Sequence, residues 1–399
     1  MTEELLLMKM KHYDVAVIGG GVAGVAAALA AARRGVKTVL IEKTVTMGGL
    51  ATNGLVLVYL ALCDGLGHQV SFGITEELLK ISNKYGPYDP KDWKNGVNRY
   101  EAFFSPASLI LALDEMLTEA GVDMWFDTVL VDAEKDADNR IKAVEVFNKS
   151  GKIRIEAECF IDATGDADLA FIAGNECLTS TNALVTWVIE HRDDMERDPK
   201  VFKFNDTTSV KIFANPLQTI DTESGISGKT VSDFVLRARK KYLDYLNEEY
   251  AGGFSNRKSR YPITLPTMPT MRKTRCIRAV QPLVPEMEWQ SVEKSVGIAA
   301  DWRKKDSVWE LPYGMLLPDN VEGMLAVGRA AGAVDDAWEV SRVIPVAAVT
   351  GEAAGVAAYL AVKHDILPSQ LEYSELAAEL QKERFYPLKI KELGFEKNV

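Results

Sequence analysis

The chain is poor in cysteine and histidine, with four of each among its 399 residues. Cys63, Cys159, Cys177 and Cys276 form no CxxC pair, and His12, His68, His191 and His364 show no ligand spacing. This pattern speaks against a zinc site or a cysteine-ligated iron–sulfur cluster, and no metal is expected. It also excludes a disulfide scaffold, and scattered cysteines in a long chain fit the reducing cytosol. Positive charge is in deficit: 46 Lys and Arg stand against 57 Asp and Glu, a net charge of −11. Such a chain repels a phosphate backbone at long range, so nucleic acid is not an expected partner. No signal-peptide pattern opens the sequence, since the apolar run at residues 5–8 is short and follows Glu3 and Glu4. Residues 15–32 and 343–362 are apolar enough to imitate a membrane span. The first carries Gly19, Gly20, Gly21 and Gly24, the second Pro345 and Glu352, so each reads as buried elements and no membrane role is expected. What is present is an ordinary globular balance, 47% hydrophobic and 26% charged, long enough for two or three domains and a substantial core.

The first fifty residues carry most of the chemistry. Residues 13–18 form a short β-branched run, a buried strand. G-x-G-x-x-G follows at Gly19, Gly21 and Gly24, then a run rich in alanine that ends at Arg33-Arg34-Gly35, as a helix closed by glycine does. Residues 36–42 make the next strand, ending on Glu42. Gly19 permits the turn out of the strand, Gly21 lets backbone approach a pyrophosphate, and Gly24 lets the helix lie close to the strand. The helix N-terminus offers free N–H groups to phosphate, and Glu42 stands where an acid accepts hydrogen bonds from a ribose. A second glycine pair, Gly48-Gly49, follows closely and is unusual for a plain NAD domain.

Further along, residues 109–120 read as an amphipathic helix, and residues 141–147 and 153–157 as a hairpin. A strand at 159–162 runs into Ala163-Thr164-Gly165-Asp166. Another, at 323–327, ends on Gly328-Arg329 and precedes a small-residue helix opening near Pro345. In this order the blocks resemble the FAD-dependent oxidoreductases of the glutathione reductase/fumarate reductase type. The resemblance implies an α/β protein: a Rossmann-like FAD-binding domain, a parallel sheet with a β-hairpin or meander insertion, plus an inserted α+β substrate or cap domain. It assigns FAD to Gly19, Gly21, Val22, Ala23, Gly24, Glu42, Lys43, Gly48, Gly49, Leu50, Val129, Ala163, Thr164, Gly165, Gly328, Arg329, Val343 and Pro345. The helix near Pro345 would turn its positive dipole end toward the flavin. The chain departs from the disulfide reductases in lacking a second GxGxxG and a CxxxxC pair. Asp335-Asp336 fills a segment where the family often shows a histidine.

Glycine–strand motifs disappear between about residue 175 and residue 304, while aromatics and mixed charges rise. The domain reading is therefore a discontinuous FAD-binding domain, 1–175 with 305–399, and a substrate or cap domain, 176–304. Residues 230–250 form an amphipathic helix with Phe234, Tyr242 and Leu246 on one face. Residues 257–278 hold seven cations and no acid. Either Arg272 or Arg275 grips an anionic substrate with its planar fork, or the block is a solvated or internally paired face. Arg342 is a second candidate near the flavin, or else a structural partner of Glu339. His68 could serve as general acid or base, and Tyr313 could donate a proton or simply pack. The activity expected is hydride transfer between a small organic substrate and flavin N5. An NAD-dependent dehydrogenase, an electron-transfer flavoprotein subunit and, more remotely, a monooxygenase are the alternatives. A homo-oligomer or an electron-transfer partner is open.

Overall fold

The structure, a computed structural model, describes residues 10–60, 62–87, 102–197, 202–214, 224–382 and 384–394. The signal-peptide reading of the first residues falls largely outside them. The main body is built on β1 (Met10–Ile18), α1 (Val22–Ala32), β2 (Thr38–Ile41), β3 (Asp123–Trp125), β4 (Val129–Lys135), β5 (Ile141–Asn148) and β6 (Gly151–Asp162). The segment 176–304, the expected cap and called so below, contributes β7 (Val185–Arg192), β8 (Phe202–Asn205), β9 (Thr208–Ala214), α2 (Gly228–Ala251) and β10 (Arg260–Thr264). The chain then returns through β11 (Met324–Ala326) and α3 (Ile344–His364).

The parallel part of the main sheet runs β3-β2-β1-β6-β11. Its register brings the strand ends level. Ile18 pairs with both Ile41 and Asp162, Ile41 with Trp125, and Asp162 with Ala326. Gly19, Glu42, Ala163 and the Val327–Gly328 step therefore leave the sheet along one edge, where open α/β sheets bind ligands. The expected hairpin is present as a meander. β6 is long enough to pair with β5 antiparallel along Gly151–Glu156 and with β11 parallel along Phe160–Asp162.

Helix α1 is buried on nearly all sides because it lies between the sheet and α3. A side chain at Gly351 would strike the Ala23 carbonyl, and one at Gly355 would come within 2.7 Å of Ala30 Cβ. Alanine on one helix and glycine on the other thus let the two pack backbone to backbone. Among the described helices only α3 is long and apolar enough to cross a membrane, and 89% of its most apolar stretch is buried inside the fold. That burial makes it a core helix.

The cap sheet is antiparallel, in the order β8-β9-β7-β10. α2 buries Phe234, Ala238, Tyr242 and Leu246, one face at four-residue spacing, and begins with a capping box between Ser227 and Thr230. Phe202 of the cap stacks on Phe103 of the main body, with ring centroids 4.8 Å apart. Near the end of the expected cap segment, Val296 and Ala299 of the strand Ser295–Ala300 join the main core.

Candidate functional site

A cavity of about 400 Å³ opens where the parallel strands end, within the size range of cofactor sites. The turn from β1 to α1 forms its floor. Gly19 N donates to Ile41 O at 2.7 Å, and Gly19 adopts φ +108°, which favours glycine. A side chain there would collide with the Ala163 carbonyl, and one at Gly24 with the Gly19 carbonyl. Gly21 differs: nothing lies within 4 Å of where its Cβ would be, and it lines the cavity. It is also the N-cap of α1, with no side chain capping it. An uncapped helix N-terminus facing open space fits a phosphate group.

The second glycine pair lies against the first. Gly48 N donates to Gly20 O at 2.7 Å, and a Cβ on Gly49 would sit 3.0 Å from Gly21 Cα. Glu42 ties the two loops together. Its Oε2 accepts from Gly20 N at 2.7 Å, and its Oε1 accepts from Thr44 N and Thr44 Oγ1, each at 2.8 Å. The acid thus holds the phosphate turn as well as facing the cavity, and carboxylate lone pairs remain for a ribose. Thr44, Asn53 and Met268 are wall residues the sequence reading missed. Thr44 and Asn53 lie beside motifs that could have pointed to them. Met268 reaches the wall only through the tertiary return of the cap.

Of the residues assigned to FAD, Gly19, Gly21, Val22, Ala23, Glu42, Lys43, Gly48, Gly49, Leu50, Val129, Ala163, Thr164, Gly165, Gly328 and Arg329 line the cavity. Gly24 lies beneath the wall as packing. Val343 and Pro345 are also off it: Val343 caps α3, Pro345 is buried in its first turn, and their neighbours Ile344 and Ala347 face the space instead. Asp162 lies under the floor, fully buried. It accepts from Thr164 N at 3.0 Å, Thr164 Oγ1 at 2.7 Å and Ala170 N at 2.9 Å. Burial pushes its carboxyl up to about 6 against the pull of those donors.

The catalytic candidates separate. Arg342 lines the cavity and is paired with Glu339, so its structural partner is present. Arg275 lines it too, but its guanidinium is engaged with Asp168 and donates to Asp166 O at 3.0 Å, over the Phe171 ring. Arg272 is off the wall, beside Arg329 and Arg342. Burial and then those two charges push its pKa down to about 9. Tyr313 is buried and does not line the cavity; its hydroxyl donates to Pro368 O at 2.9 Å, and burial raises its pKa. The Nδ1 of His68 lies 2.7 Å from Asp64 Oδ2, and the half-exposed ring is not on the wall. The block at 257–278 disperses: Arg260 pairs with Glu249 and Asp194 inside the cap, Lys273 with Glu339, and Arg278 with Glu176 and Asp319 at the surface.

The sequence pattern described as FAD dependent oxidoreductase matches residues 14–208 and 286–380. The digeranylgeranylglycerophospholipid reductase of Picrophilus torridus is 28% identical over 193 residues, covering 45% of this chain and 46% of that protein. The match thus spans less than half of that relative. The enzyme of the same name from Thermoplasma volcanium is 24% identical over 283 residues, 64% of this chain and 70% of that one. Among solved structures, a geranylgeranyl bacteriochlorophyll reductase-like protein from Thermoplasma acidophilum superposes with a TM-score of 0.53 at 18% identity. It covers 94% of this chain and 84% of that one, and the likeness is one of fold.

Proposed function

The chain belongs to the FAD dependent oxidoreductase family, and on that premise we propose a dehydrogenase or reductase of the glutathione reductase/fumarate reductase-like type acting on a small organic substrate. It is a flavin-dependent redox enzyme with FAD as its cofactor. The observation that carries the reading is the open position at Gly21. A bare helix N-terminus, a facing Gly48–Gly49 loop and a ribose-binding acid meet at one end of a cavity that continues to Arg329, Arg342 and the start of α3. This favours FAD over the NAD-dependent alternative, because the cavity has a second glycine pair beside the first and continues past both to the Gly328–Arg329 turn.

When bound, FAD would supply the hydride-transfer chemistry. The protein's residues do the rest. Gly21, Val22 and Ala23 hold phosphate with backbone N–H groups, and Glu42 holds ribose. Gly48, Gly49 and Leu50 would run along the cofactor from the phosphates, and α3 would direct its dipole at the flavin. Residues 176–304 form the substrate-binding cap in this reading, with Met268 as its reach into the cavity. From the relatives we take the reductive direction as first choice, without their lipid substrate. All four cysteines are free thiols, which supports a cytosolic setting.

The test is a visible absorption spectrum of the purified protein, repeated on the supernatant after acid precipitation. A flavin spectrum that moves to the supernatant and elutes as FAD on chromatography is the expected result. A colourless protein that refuses added FAD would overturn the reading.

A further inference from the structure

Residues 265–274 carry the chain back from the cap to the cavity, and the polar groups along the way are engaged. Thr267 N donates to Asn53 O at 2.9 Å, and Thr267 Oγ1 to Asn53 Oδ1 at 3.0 Å. Thr270 Oγ1 donates to Val185 O, and Met271 O accepts from Arg329 Nη1. Arg272 N and Lys273 N both donate to Asn182 Oδ1, at 2.6 and 2.7 Å. Thr274 Oγ1 donates to Asp166 Oδ1 at 2.5 Å. The backbone of Arg272 is therefore fixed on both sides. Its guanidinium is the exception: among the described residues it has no hydrogen bond and no ion pair.

The nearby acids already have partners. Glu339 holds Lys273 at 2.7 Å and also Arg342, while Asp166 holds Arg329 at 3.3 Å. Three cations thus occupy the two carboxylates at this corner and the fourth, Arg272, has neither, in a chain whose net charge is −11. Two of the four, Arg329 and Arg342, are on the cavity wall. A partly buried cation that is held in place without an acid is stabilised by an anion from outside. A guanidinium fork matches carboxylate or phosphate with two parallel hydrogen bonds.

We infer that Arg272, with Arg342 beside it, receives an oxyanion of the substrate, carboxylate or phosphate, where the cap's return loop meets the start of α3. The inference rests on the flavoenzyme reading and names the substrate class for it. Arg272 is the specificity residue of the basic block, whereas Arg275 is held by Asp168.

The FAD-loaded protein is titrated separately with succinate and with inorganic phosphate, following the flavin absorption band, and FAD content is measured for each variant. Wild type is expected to show saturable binding of one of the two, and whichever binds identifies the oxyanion. Arg272→Gln is expected to weaken it at least ten-fold with FAD content unchanged. Arg272→Lys, which keeps the charge without the fork, should fall between. Arg278→Gln, a surface control, should match wild type. Equal binding in Arg272→Gln, or no binding of either probe to wild type, overturns the inference. So does loss of FAD from Arg272→Gln, which would assign the guanidinium to the cofactor. A wild-type protein that holds no FAD fails the flavoenzyme reading instead. In that case the same titrations by calorimetry still test Arg272.

Discussion

Toward the ends of β1 and β2, the cavity wall rests on residues that lack side chains; toward the start of α3, it rests on residues with long charged ones. Gly19, Gly21, Gly48 and Gly49 act through what they leave empty: room for backbone crossings, or room for a ligand. Arg329 and Arg342 act through charge, each held by an acid, Asp166 and Glu339, while Arg272 beside them has none among the described residues. The first kind of wall is specified by local geometry and tolerates no added atoms at its crossings. The second is specified by partners distant in sequence, and its chemistry changes when one partner changes.

Substitutions on the sheet side should divide sharply by position. Gly24→Val would push a side chain onto the Gly19 carbonyl and is expected to cost about 3 kcal/mol in chemical unfolding. Gly21→Glu enters open space, so its unfolding free energy should change by less than about 1 kcal/mol while FAD is lost. Unchanged flavin content in that variant would refute the phosphate site. The floor beneath can be probed by pH. Asp162 has a folded-state pKa raised to about 6, above its ordinary value of 3.8. Its contribution is therefore fully present below about pH 4 and is lost as pH rises through about 6. The stability difference, wild type minus Asp162→Asn, should grow by about 2 kcal/mol as pH falls from about 7 to about 4. A flat difference across that window would contradict the burial of the charge.

Two further variants sharpen the line between wall and support. Tyr313→Phe removes one buried hydrogen bond to Pro368 O and should cost about 1 kcal/mol, with flavin content and turnover unchanged. His68→Asn should be the smallest effect: wild-type flavin content, and a turnover-against-pH profile that superposes on wild type. A lost limb in that profile would return His68 to the chemistry.

The glycine motifs were legible because their constraints lie within about thirty residues of chain. A strand, a turn of positive φ, a helix that must touch the strand and an acid at the next strand end leave few other residues acceptable. The small-residue pattern of α3 was legible for the same reason, though not that its partner is α1. Positions on the wall next to these motifs, such as Thr44 and Asn53, carried no mark of their own. The basic block misled as a unit. Its seven cations look alike in sequence, yet the fold sends Arg260 into the cap segment, Arg278 to the surface and Arg275 to Asp168, and leaves Arg272 beside Arg329 and Arg342.

The sequence by itself determined the α/β class, the dinucleotide turn and the cofactor's family, because backbone sterics act between near neighbours and write themselves as glycine and alanine. Only the tertiary structure decided which charged side chain is paired with an acid and which is not. An ion pair forms over a few ångströms of space, and here its members are tens to hundreds of residues apart: Arg275 with Asp168, Lys273 with Glu339, Arg329 with Asp166.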